Sequence, residues 1–221
     1  MKRAALILAL LLMPLAALAA GSDGAGTTEE NRPDAGTWTY LAVKHAVTPR
    51  YTVTIRGELR TKDNARATDQ RFVRIFNRYA FLPWLTGEVN FEGNQASIGE
   101  GQWRNAFRIH LGINAAAKLG DFRLSTLQRE YFYIASNVEP AKPCFLLSQF
   151  RVGYAPKDWV ATPYLTAIWL TRPETFQRRL IAGADIKLCP SASLNIYYIF
   201  KTAYPSRSDI NVLGLGLTVT L

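Results

Sequence analysis

The last ten residues of the chain admit few folds. In Val212-Leu213-Gly214-Leu215-Gly216-Leu217-Thr218-Val219-Thr220-Leu221, every odd position from 213 is Leu or Val, and every even position from 214 is Gly or Thr. Successive side chains of a strand point to opposite faces, so this segment has one aliphatic face and one small, polar face. A helix would mix the two kinds on every face.

The same period recurs upstream. Trp103, Phe107, Ile109, Leu111 and Ile113 alternate with Arg104, Arg108, His110, Gly112 and Asn114. Tyr51, Val53, Ile55 and Leu59 alternate with Thr52, Thr54, Arg56, Glu58 and Arg60. Leu85, Val89 and Phe91 alternate with Thr86, Glu88, Asn90 and Glu92. In 176–188, Leu180, Ala182, Ala184, Ile186 and Leu188 face away from Gln177, Arg179, Asp185 and Lys187. Weaker matches lie at 37–47, 70–82, 122–134, 144–155, 159–170 and 193–201. Pro and Gly fall mostly between these segments. Pro163 is an exception, suited to a bulge or a weakly paired position.

Connections alternate in length as well. Short ones lie at 48–50, 82–84, 119–121, 155–158 and 189–191, and longer polar ones at 61–69, 94–101, 135–143, 171–175 and 202–209. Short turns on one side and longer loops on the other are the habit of bacterial membrane barrels. These features predict an all-β, up-and-down antiparallel transmembrane β-barrel. The alternation marks 11 segments. Even strand counts are the rule in single-chain bacterial barrels, so 10–12 strands are expected, with 12 favoured if residues 21–36 add one. An unpaired edge in hydrocarbon costs several kcal/mol per exposed group. The 212–221 strand is therefore expected to pair near the N-terminus.

Alternation does not say which face is outside. Trp84 and Trp159 fall at short turns, and Trp38, Trp103 and Trp169 beside the presumed outer side. They would form two interfacial aromatic girdles. The polar face carries Arg56, Arg60, Arg74, Arg78, Arg104, Arg108, Arg151, Arg179 and Lys187 beside Glu58, Glu88, Glu92, Glu130 and Asp185, with His110. The rigid donor fork of Arg suits ion-pair ladders in a confined lumen. A soluble ligand-holding barrel in the periplasm would put the apolar face inward instead.

The N-terminus gives the address. Lys2 and Arg3 precede an almost wholly apolar run over 4–18, ending in Ala17-Leu18-Ala19. About 15 apolar residues are short for a spanning helix, which needs about 20, and match a secretory signal. Expected organisation is a signal peptide at 1–19, a polar segment at 20–36 and a barrel at 37–221 in the bacterial outer membrane. The formal charge of +9 includes Lys2 and Arg3, so the mature chain carries +7. An exported chain does not normally meet nucleic acid, and no nucleic-acid motif is present. Outer-membrane lipids and lipopolysaccharide, and the assembly machinery that inserts barrels, are the expected partners.

Candidate chemistry is sparse. His45 and His110 are the only histidines, and neither begins the H-x-S pattern of outer-membrane lipid A deacylases or lies in the Tyr-x-x-His-x-Ser-Asn setting of outer-membrane phospholipases. No spacing nominates a base within reach of a Ser nucleophile. No enzyme activity, cofactor or metal site is expected. Cys144 and Cys189, the only cysteines, fall on opposite sides of the bilayer in this topology, too far apart for a disulfide. The basic excess on the polar face leaves three functions open: a plugged or porin-like structural barrel, a narrow anion-preferring channel, and a lipid-modifying enzyme using His110.

Asp34-Ala35-Gly36-Thr37-Trp38-Thr39, the Pro49-Arg50 turn, and Tyr51 to Arg60 followed by Asp63 and Asn64 resemble the start of a family of small Gram-negative outer-membrane proteins classed as a domain of unknown function. The resemblance covers roughly 34–221 and is strongest over 34–92. It implies an outer-membrane barrel with a signal peptide, and brings no catalytic residues.

Overall fold

In the computed structural model the described residues are 34–99, 101–136, 145–171, 176–204 and 209–221. They form eleven strands: β1 (Asp34–Ala46), β2 (Tyr51–Lys62), β3 (Ala67–Leu82), β4 (Leu85–Gly99), β5 (Gln102–Leu119), β6 (Phe122–Ser136), β7 (Phe145–Tyr154), β8 (Ala161–Thr171), β9 (Phe176–Cys189), β10 (Ala192–Tyr204) and β11 (Asp209–Thr220). Each pairs antiparallel with its sequence neighbour, and β1 closes on β11. Each of the 11 alternating segments becomes one strand.

The favoured count of 12 is corrected to 11. Up-and-down strands reverse direction at each step, so the first and last of an odd set run the same way. Closure must then be parallel, and β1 pairs parallel with β11 from Asp34↔Ile210 to Lys44↔Thr220. The barrel also begins at Asp34 rather than 37, because Asp34, Ala35 and Gly36 extend this seam. Residues 21–33 lie outside the described set. The expected closure of the terminal strand onto the N-terminal region is observed.

Hairpins on the long-loop side reach further than the sequence indicated. β2 and β3 are joined at 63–66, β4 runs to Gly99 and β5 starts at Gln102, so much of 61–69 and 94–101 is strand. Asp63, Asn64 and Ala65 adopt positive φ in the first of these turns, where Asp and Asn are tolerated best. Pro163 pairs with Ala184 of β9, but the β7–β8 ladder stops at Tyr164. Its missing N–H therefore falls at the end of a ladder, a place where Pro is tolerated.

The faces are inverted relative to a water-soluble barrel. Leu41, Ile55, Val73, Leu111, Ile113, Phe150, Leu165, Leu180, Leu213 and Leu215 point outward and are exposed, whereas Glu58, Glu88, Asn90, Glu92, Arg108 and His110 are buried inside. No helix among the described residues is long and apolar enough to cross a membrane; the strands are the elements of spanning length.

Candidate functional site

The inward positions of β2–β6 carry a continuous ion-pair ladder. Register makes it: Arg56 opposes Arg74, Arg74 opposes Glu92, and Glu92 opposes Arg108 along one row. Two rows of like-charged guanidinium groups would repel unless carboxylates sit between them. Glu58 does this by reaching Arg56 at 2.5 Å, Arg60 at 2.6 Å and Arg74 at 2.8 Å. Glu92 joins Arg74 at 2.6 Å and Arg108 at 2.8 Å. Glu88 joins Arg129 at 2.5 Å and Arg78 at 3.2 Å. These three carboxylates are 0–2% exposed at the side chain, so each needs the several donors it has.

The remaining inward wall is aromatic and aliphatic. Leu127, Tyr131, Phe145, Leu147, Ile168 and Leu170 form one buried cluster across β6–β8. Tyr164, Tyr197, Ile199 and Val212 form another, with Trp38 and Tyr40 packed on it. Glycines make this packing possible. A Cβ at Gly214 would lie 2.0 Å from the Tyr197 ring, and one at Gly216 would lie 1.9 Å from the Tyr40 ring. The small face of the C-terminal strand is thus the seat of two tyrosines. Two guanidinium groups bridge the two walls, Arg56 lying 3.7 Å from the Tyr40 ring centroid and Arg60 3.7 Å from that of Trp38, and within the second wall Arg151 lies 3.6 Å from that of Tyr164. Arg151 also pairs with Asp185, which accepts from Asn195 at 2.6 Å.

Two expected placements are corrected. Glu130 faces outward and is exposed, not lumenal. On β6 the inward residues are Leu127, Arg129, Tyr131 and Tyr133, set by the pairs Gly112↔Arg129, His110↔Tyr131 and Arg108↔Tyr133. Apolar rings occupy the inside of this strand, so the rule that apolar means outward assigned β6 the wrong parity. Trp38 likewise faces the lumen, under Arg60 and opposite Gly214, and is not a girdle residue. Trp84, Trp103 and Trp169 face outward or sit at a turn, and Trp159 packs edge-on to Tyr154 by a short turn. Lys187 lies exposed at the rim, and the inward face of Arg104 is set by its pairing with buried Ala96. Arg129, and Lys201 on the inward row of β10 opposite Arg179, are charged residues that sequence reasoning missed.

His110 is buried, with Nε2 3.7 Å from Glu92 and its ring 3.9 Å from that of Tyr131. Neither of its ring nitrogens has a hydrogen-bond partner among the described residues. No hydroxyl of the described residues is hydrogen-bonded to either nitrogen. No cluster of His, Cys, Asp and Glu among the described residues could hold a metal ion. Cys189 is free and exposed, while Cys144 lies outside the described residues.

The ladder leaves a charge excess. Inward Arg56, Arg60, Arg74, Arg78, Arg104, Arg108, Arg129, Arg151 and Arg179 face Glu58, Glu88, Glu92 and Asp185. Arg179 donates twice to Gln177 and lies 5.2 Å from the Trp38 ring centroid, with no carboxylate bound to it among the described residues.

No protein-family model matches the chain, and no curated protein matches it. Among solved structures it is similar to the KdgM porin, at 12% identity and a TM-score of 0.49, covering 77% of this chain and 90% of that one. It is also similar to the anion-selective porin from Comamonas acidovorans, at 13% identity and a TM-score of 0.37, covering 78% of this chain and 52% of that one. At these values the likeness does not extend to function.

Proposed function

We propose that the chain is a porin-like barrel of the bacterial outer membrane with a constricted, anion-preferring lumen, and not an enzyme. An exposed aliphatic exterior over a charged interior is stable only with hydrocarbon outside. That exterior would contact membrane lipids and lipopolysaccharide, and insertion would use the barrel-assembly machinery. Eleven strands spaced about 4.8 Å apart and tilted about 40° make a backbone cylinder on the order of 22 Å across. Opposed Arg and Tyr side chains fill most of that width, so only small solutes would pass.

One observation carries the anion preference: nine inward arginines face four carboxylates, and Arg179 lacks any acidic partner among the described residues. Rings of basic side chains select anions. Planar bilayers under a salt gradient test this. Small conductance is expected, with a reversal potential on the anion side that moves toward the cation side in Arg179→Glu. Cation preference would overturn the reading. Absence of conductance would select a second reading, a barrel plugged by its own ladder, which the burial of Glu58, Glu88 and Glu92 favours.

A further inference from the structure

The outer wall of β3–β5 changes character within one step. Strand pairing lines up the outward side chains in rows. Ile75, Phe91 and Ile109 form one row, and Val73, Gly93 and Phe107 form the next toward the long loops. Both rows carry apolar side chains or none. The row above them is Arg71, Gln95 and Asn105, and it is wholly polar. Beyond it Trp103 pairs with Ser97, and the Arg71 guanidinium lies 4.8 Å from the Trp103 ring centroid. An outward tryptophan at this end of a membrane barrel sits at headgroup level. The polar row therefore stands where hydrocarbon gives way to headgroups.

A notch lies just under that boundary. A Cβ at Gly93 would meet no described atom within 4 Å, unlike those at Gly214 and Gly216, whose space tyrosine rings fill. The missing side chain opens an outward cleft of about 810 Å³, bounded by Val73 and Phe107 and roofed by Arg71, Gln95 and Asn105. Arg71 is exposed and forms no ion pair among the described residues. The acid two residues away, Asp69, is held by Lys62 at 3.9 Å. No carboxylate lines the cleft among the described residues. It is thus apolar below and cationic above, with no neutralising group of its own. A guanidinium binds phosphate through two parallel N–H donors and gives up its hydration more readily than an ammonium. That order of chemistry is complementary to a lipid with an anionic phosphoryl headgroup and a chain running inward.

We infer that this face binds a phosphorylated lipid of the outer leaflet, its phosphoryl group on Arg71 and one acyl chain in the notch at Gly93. The inference rests on the membrane reading. Native mass spectrometry of the detergent-solubilised full chain, mixed with diphosphoryl lipid A or its dephosphorylated form, tests it. Retention of the diphosphoryl form is expected, with little of the other. Arg71→Gln should cut that retention about tenfold. Gly93→Leu should cut it as well by filling the notch, and the open space before Gly93 lets the fold persist, which heat-modifiable gel mobility checks. Arg178→Gln is the control. Arg178 is also outward, opposite Trp169, but the exposed Leu180 side chain stands below it in place of a notch, so retention should not change. Equal retention of the two lipid forms, indifference to Arg71→Gln or to Gly93→Leu, an equal loss in Arg178→Gln, or displacement by inorganic phosphate at the lipid's own concentration would each overturn the site. A chain that stays folded in water without detergent would instead defeat the membrane reading; a folded barrel in detergent that retains neither lipid defeats only the site.

Discussion

Glu92 shows what a single lumenal residue does. It is 1% exposed and joins Arg74 to Arg108 across two strand pairs. Removing it leaves two guanidinium groups short of a partner in a space that cannot hydrate them freely. Glu92→Ala is therefore expected to destabilise the barrel by about 3–5 kcal/mol, the range for breaking a buried ion pair from one side. Urea unfolding in lipid vesicles, followed by tryptophan fluorescence, checks this. Asp69→Ala is the contrast: its pair with Lys62 spans 3.9 Å with both side chains about one-third exposed, and its loss should cost less than about 1 kcal/mol. At this scale the sequence was readable for β2, β4 and β5, where charge and parity agree, less so for β3, where Arg71 faces out and Phe72 and Phe76 face in, and unreadable for β6. Arg129 and Glu130 are adjacent and opposite in charge, and either could have been lumenal. Only the pairing of Gly112 with Arg129 decides between them.

Among the elements, β11 does three things at once. Its odd positions present Leu213 and Leu215 outward, its Gly214 and Gly216 admit the Tyr197 and Tyr40 rings, and its backbone pairs with both β10 and β1. Deleting 209–221 opens two edges, each a row of unpaired N–H and C=O groups that hydrocarbon cannot satisfy. The truncated chain is expected to lose heat-modifiable mobility and protease resistance in membranes. A truncated chain that keeps both would contradict closure through this strand. The alternation of β11 was plain in the sequence because each face has one residue type. Its parallel partner was not, because parallel closure depends on the total strand number, a property no single segment carries.

For the whole molecule, the decisive question is what surrounds it. In hydrocarbon, Leu215→Arg should cost about 2–4 kcal/mol if its site lies near the bilayer midplane. In water the same exposed change would be close to neutral. Unfolding measured in vesicles separates the two, and near-neutrality there would argue for a soluble barrel. The outer wall makes the same distinction locally. An exposed carboxylate such as Glu130 on β6 is ordinary in water and costly against lipid.

The sequence by itself determined the elements. A period of two is a local property of the chain, so the eleven alternating segments and most of their outward faces follow from residue order, whereas the total strand count, favoured as 12, and the extent of the long-side hairpins do not. Tertiary structure decided what depends on neighbours distant in sequence: the parallel seam of β1 and β11, the inward turn of Trp38, and the side of the wall on which Glu130 lies. Pairing partners set these, and a strand whose two faces are both mixed, as in β6, carries no internal record of which way it will turn.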